Sequence, residues 1–283
     1  MQTGDRPQFS QIDAWGATHS GVLREHNEDH FFVGAIARGV TVDATSIADD
    51  DRSVLHAERL ASLAMVADGV GGRAGGEEAA RTAVRTLVSK VSEAFHEADY
   101  RESEDPEVFT RLLHEAALAC HESLLHKAEQ EGDERRFSTT LTLFLGLWPH
   151  AYLLQVGDSR CYILRGDELT QITRDQTVAQ ELIDSGALTQ TVANKTRWAH
   201  VLSSSMGGEQ AAPVVTRVTR DWGNVVLLGS DGLTKHVSDD QIRRRLSSLT
   251  DARSACEHLI QDALDDGGTD NIPVIVCRSV PSS

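Results

Sequence analysis

The chain has 283 residues, enough for one large domain or two small ones, and 40% of them are hydrophobic, enough to fill a core, so a disordered chain is not expected. A net charge of −16 and an isoelectric point of about 5.1 argue against general nucleic-acid binding, which needs a positive footprint, and against anionic membrane surfaces. Cys120, Cys161, Cys256 and Cys277 form no CxxC pair, the start Met1-Gln2-Thr3-Gly4-Asp5 has no leader-like pattern, and no apolar run reaches membrane-spanning length; a cytoplasmic protein in a reducing compartment is the expectation.

Residues 11–18 and 28–35 read as two strands around a polar turn, and 36–60, which carries Asp49-Asp50-Asp51, as a solvated loop. The apolar run Leu63-Ala64-Met65-Val66-Ala67 then ends on Asp68. A glycine-rich turn, Gly69 to Gly76, opens a helical pattern in which Ala80, Val84, Leu87, Val88, Val91 and Phe95 share one face. A second helix is expected over about 107–130, with Pro106 suited to its start. The runs 138–147, 150–157 and 160–165 read as an antiparallel meander that continues past Arg165-Gly166-Asp167-Glu168 into another short strand. Residues 176–212 are irregular after a short helix to about Ser185; strands resume at 214–219 and 224–229, helices at 238–248 and 252–265, and a last strand runs about 271–279. No repeat or linker divides the chain. A layered α+β domain is expected, two antiparallel sheets face to face with helix pairs outside.

Chemistry points to the strand ends. Asp68, Asp158 and Asp231 each close an apolar run and precede a small residue, and Asp270 sits just before the last run. One such turn is ordinary. Several imply convergence on one acidic site, where each like-charged pair at about 4 Å costs ~4 kcal/mol at an effective dielectric of about 20. A hard cation such as Mg²⁺ or Mn²⁺ is the usual reason to gather them. Arg24 could bind a phosphate with its planar fork of donors; Glu28 and Asp29 point to opposite faces of an extended segment, so only one faces a given site directly. Gly69-Val70-Gly71-Gly72-Arg73-Ala74 matches a relaxed dinucleotide fingerprint, but Asp68 would repel a pyrophosphate and the alternating strand–helix order is missing. No histidine pair has strong zinc spacing, and no serine has a nucleophile-elbow context.

Together these segments resemble the PPM family, the metal-dependent type 2C serine/threonine protein phosphatases, in their bacterial form. The resemblance covers about 12–279 and is carried in order by Arg24-Glu25-His26-Asn27-Glu28-Asp29, Asp68-Gly69-Val70-Gly71-Gly72, Ser138-Thr139-Thr140, Gly157-Asp158-Ser159-Arg160, Ser230-Asp231-Gly232-Leu233 and Asp270-Asn271-Ile272. It implies a four-layer α-β-β-α sandwich in a single phosphatase domain, with 176–212 as a flap beside the site. It also implies a centre of two Mn²⁺ or Mg²⁺ ions. On that pattern Asp68, Asp231 and Asp270 match direct ligands, and Gly69 matches a carbonyl ligand. Glu28 and Asp29 match acids that orient metal-bound waters, and Arg24 matches the phosphate grip. Asp158, sharing Asp231, matches a ligand of a third, weaker ion. The implied reaction is hydrolysis of phosphoserine and phosphothreonine by a metal-bridging hydroxide, without a phosphoenzyme, on substrates of serine/threonine kinases. Val70 and Arg73 stand where many members carry a histidine, His19 replaces an acid, and Pro273 replaces a threonine. The alternative is a catalytically silent regulatory module on the same fold; loss of a ligand aspartate would favour it, and none is lost.

Overall fold

A computed structural model describes residues 7–38, 58–71, 74–96, 105, 107–132, 137–193 and 196–281. Its layers follow from alternation along the strands. On β3 (Glu58–Ala67), Leu63, Met65 and Ala67 face one way while Ala64 and Val66 face the other, and all five are buried. A strand buried on both faces needs a layer on each side.

The first sheet has the order β1 (Ile12–His19), β12 (Ile272–Ser279), β11 (Val225–Gly229), β8 (Arg160–Arg165), β9 (Glu168–Gln171). The second has the order β10 (Val214–Thr219), β7 (His150–Val156), β6 (Leu141–Leu147), β3, β2 (His30–Arg38). Every pairing is antiparallel. A two-stranded ribbon joins β4 (Gly69–Val70) to β5 (Ser138–Thr139). The sheets meet through Ala64, Val66, Phe144, Leu153, Ile163, Val226, Leu228 and Ile275.

Helix pairs close the outer faces. Ala80, Ala83, Leu87 and Val91 of α1 (Ala74–His96) and Leu113, Ala117, Cys120 and Leu124 of α2 (Val108–Glu131) pack on Leu141, Leu143 and Leu154 of the second sheet. Two shorter helices lie in the flap region, α3 (Val178–Asp184) and α4 (Gln190–Ala193), and a single turn, α5 (Asp231–Thr234), follows β11. Ile242 and Leu246 of α6 (Asp239–Ser247) and Ala255, Cys256 and Leu259 of α7 (Ala252–Asp265) cover Val225, Leu227, Val274 and Val276 of the first sheet. The ends are set locally. α6 begins with a reciprocal Ser238/Gln241 capping box, and Asp251 accepts from the Ser254 N–H at the start of α7. The result is the expected α-β-β-α sandwich. All four cysteines are free and buried.

Three expectations change. The meander is split: β6 and β7 form a hairpin in one sheet, but β8 pairs with β11 and β9 in the other, so the chain crosses between sheets at Gly157-Asp158-Ser159. The run 138–147 is two strands, because Thr140 turns out of the ladder to bond the Asp68 turn: its N–H donates to the Asp68 carbonyl at 2.8 Å. The region expected as a loop over 36–60 is strand at both ends, in β2 and β3; its middle, with Asp49-Asp50-Asp51, lies outside the described residues, as do Pro106 and the Gly72-Arg73 part of the glycine turn.

Candidate metal centre

Strands from both sheets deliver their acidic ends to one cavity of about 540 Å³. Asp68 leaves β3, Asp158 lies where the chain changes sheets, Asp231 opens α5 directly after β11, and Asp270 precedes β12. These four line the cavity with Arg24, Glu28 and Gly69. Asp29 is the exception among the sequence candidates. It lies behind the wall, 5% exposed, with a buried Oδ2 that has no hydrogen-bond partner, as alternation along an extended segment requires when Glu28 faces inward.

Three polar side chains hold these turns in register. Thr140 Oγ1 accepts from the Asp68 N–H at 3.1 Å and lies 2.7 Å from Ser159 Oγ, tying the Asp68 turn to the Asp158 turn. Thr139 Oγ1 donates to the Asp68 carbonyl at 2.8 Å. Asn271 clamps the first loop to the last: its Oδ1 accepts from the Glu28 N–H at 2.8 Å, and its Nδ2 donates to the carbonyls of Ser20 and His26 at 2.9 and 3.0 Å. Glycine permits the remaining close approach. A Cβ on Gly76 would come within 2.5 Å of Glu28 Oε2, and one on Gly69 within 2.5 Å of the Gly76 backbone. The first turn of α1 therefore touches the Asp68 turn directly.

Burial and mutual repulsion dominate the electrostatics. Burial, followed by the charges of Asp29 and Asp231, pushes the Asp68 carboxyl well above its ordinary value. Asp29 is pushed up to about 8 by burial and then by Asp231 and Asp270. Asp158 is pushed up to about 7 by burial and then by Asp231. Two cations of the chain answer this field. Arg24 Nη2 lies 2.9 Å from Asp270 Oδ2, a hydrogen bond that raises the guanidinium pKa. Lys235 Nζ lies 2.5 Å from Asp231 Oδ2 and 3.5 Å from Asp270 Oδ2; burial lowers its pKa, but Asp231 outweighs this and the net shift is upward.

Among the described residues no three acidic, histidine or cysteine side chains converge tightly enough to grip one ion as they stand. The donor chemistry nevertheless fits hard divalent ions: the set is all oxygen, strongly negative, and includes an unpartnered Asp29 oxygen behind the wall.

The family profile for protein phosphatase 2C matches residues 38–266. The chain belongs to the protein phosphatase 2C family. It is 34% identical over 233 residues to the serine/threonine protein phosphatase PstP of Mycobacterium tuberculosis, covering 82% of this chain and 43% of PstP, so it spans less than half of that relative's length. It is 30% identical over 229 residues to the serine/threonine phosphatase stp of Listeria welshimeri, covering 81% of this chain and 88% of stp. The catalytic domain of PstP, solved in complex with two manganese ions, superposes with a TM-score of 0.73 at 29% identity, over 95% of this chain and 99% of that domain.

Within this protein phosphatase 2C domain, several wall residues carry no sequence signal of their own. The flap expected at 176–212 contributes His200, Val201, Leu202 and Ser205, and it is pinned beside the site where Met206 and Thr139 exchange backbone hydrogen bonds of 2.8 and 3.0 Å. Thr140 and Asn271 belong to motifs read from sequence, but the bonds they make span 72 and 243 residues. Lys235 could have been found: it lies four residues after Asp231, the spacing that stacks two side chains on one helical turn.

Proposed function

We propose that this chain is a metal-dependent protein phosphatase that hydrolyses phosphoserine and phosphothreonine in the substrates of serine/threonine kinases. The observation that carries the reading is the convergence of Asp68, Asp158, Asp231 and Asp270 with Arg24 on one cavity. A single catalytic domain of about 12–279 would do this, with 176–212 as its flap. Asp68, Asp231, Asp270 and the Gly69 carbonyl would hold two Mn²⁺ or Mg²⁺ ions, and Asp158 with Asp231 is the pair that a third would use. When bound, the ions supply Lewis acidity and bring the pKa of a coordinated water towards neutrality.

The chain's own groups do the rest. Glu28 in the wall and Asp29 behind it would orient water held by those ions. Arg24, about half exposed, exchanges its Asp270 partner for the phosphate and offsets charge on the non-bridging oxygens. The phosphoryl group passes directly to water while the serine or threonine oxygen leaves, so no phosphoenzyme forms. Among the described residues no helix is long and apolar enough to cross a membrane. Cytoplasmic placement is supported by four buried cysteines that remain thiols.

The test is hydrolysis of p-nitrophenyl phosphate and of a phosphothreonine peptide with Mn²⁺, with Mg²⁺ and with EDTA. Turnover should require the metal. Asp231→Asn should lose more than the ~10–100-fold typical of residues that only orient ligands, with an unchanged circular dichroism spectrum. Metal-independent turnover, or none in folded protein, would sink the reading.

A further inference from the structure

We propose that the end of the sandwich opposite the acidic centre binds one small monovalent anion, of chloride size, between Arg59 and Arg220.

Strand direction separates the two sites. β3 carries Arg59 near its start and Asp68 just past its end, which puts them about 30 Å apart at ~3.3 Å per residue. β6 likewise starts beside Thr140 and ends next to Trp148. A cavity of about 20 Å³ opens at this far end, with Arg59, Trp148 and Arg220 in its wall. That is little more than the ~10–15 Å³ that one water needs, so a halide ion fits and a phosphate does not.

The wall carries charge without a counter-charge. Arg220 is 6% exposed and Arg59 is half-buried, and a guanidinium keeps its proton when buried. The chain has 43 acidic residues, yet among the described residues no carboxylate pairs with either arginine. Their bonds go to neutral hydroxyls: Arg59 Nη1 donates to Ser62 Oγ and Arg220 Nη2 to Ser279 Oγ, each at 3.1 Å. Their faces lie over rings, Arg59 at 4.8 Å from the Phe9 centroid and Arg220 at 5.5 and 5.9 Å from those of Phe144 and Trp148. Arg59 Nε, Arg220 Nε and Trp148 Nε1 are buried donors with no partner. Burial lowers the pKa of both guanidiniums, and the charge of Arg220 lowers that of Arg59 further, so the two repel.

Buried charge ordinarily has a partner. The rings offset part of it from above and below the guanidinium planes and leave the N–H edges unanswered. Water accepts from an N–H but brings no charge. A halide accepts from several N–H groups at once and offsets both guanidiniums.

The test is thermal unfolding of the full chain, with no divalent metal, in sodium chloride against sodium gluconate at equal ionic strength. Chloride should raise Tm saturably, by about 3–6 °C at ten times its Kd, and bromide should replace it while gluconate, too large for the cavity, should not. Arg59→Met should melt at the same temperature in both salts. Equal melting of the unaltered chain in chloride and gluconate would overturn the inference, since water would then fill the cavity. A chloride response undiminished in folded Arg59→Met would also overturn it, by placing the ion elsewhere. Arg59→Gln repeats the comparison if the methionine variant does not fold.

Discussion

Arg24 shows how a surface loop residue is committed to the site. Its guanidinium is about half exposed yet fixed on Asp270 at 2.9 Å, so it waits at the cavity wall already oriented. Hydrogen bonds to charged groups contribute about 1.5–3 kcal/mol, a factor of roughly 10–100. Arg24→Ala should therefore raise KM for a phosphothreonine peptide by about that factor, with a smaller change in kcat. An unchanged KM in steady-state assays would remove the assigned role. Asn271 acts differently: its N–H donates to Asp270 Oδ1 at 3.0 Å, while its side chain satisfies one N–H and two carbonyls of the first loop. Replacing it with leucine strands these groups at about 1–3 kcal/mol each if they stay buried. The expected outcome is a lower melting temperature and a weakened hold on Glu28, read as reduced Mn²⁺ affinity in calorimetry.

At the scale of elements, the site depends on where strands stop. β11 ends at Gly229 and hands Asp231 to a single helical turn, whose Gly232 is packed against the entry to β12. A Cβ there would fall 1.9 Å from the Asn271 carbonyl oxygen, a backbone atom that cannot rotate away. Gly232→Ala must push α5 from β12 and so separate Asp231 from Asp270. Overpacking of this kind costs about 1–3 kcal/mol. Thermal unfolding should show that loss, and the variant should need more Mn²⁺ for half-maximal activity; wild-type behaviour in both would contradict the packing. The strands themselves were readable, because alternation and apolar runs are local. Their partners were not. Residues 160–165 looked like the third strand of a meander, but β8 lies in the other sheet, since Tyr162 and Leu164 pack on the α6–α7 side and Ile163 between the sheets.

For the whole molecule, folding gathers carboxylates that repel one another. Divalent ions that bind only the folded chain should then stabilise it. One ion at 100 times its Kd adds ~2.7 kcal/mol. For a domain of about this size, 1 kcal/mol moves Tm by about 2–4 °C. Saturating Mn²⁺ should accordingly raise Tm by about 5–10 °C per ion, and EDTA should return it, as differential scanning fluorimetry can check. The same melting curves with Mg²⁺ rank the two ions independently of turnover.

The sequence by itself determined the layers and the ligand candidates. Helical and strand periodicity act over a few residues, and the run of aspartates after apolar strands, with Arg24 and the motif order, marks an acidic centre of this family. Tertiary structure alone decided which groups hold that centre together. Thr140 reaches Asp68 across 72 residues and Asn271 reaches Glu28 across 243, contacts that no local pattern encodes because they exist only after two sheets have packed face to face. It also decided that Asp29 lies behind the wall while Glu28 lines it, and that Lys235 pairs with Asp231. Side-chain spacing proposes such neighbours, but only the packed strand ends bring their charges within reach.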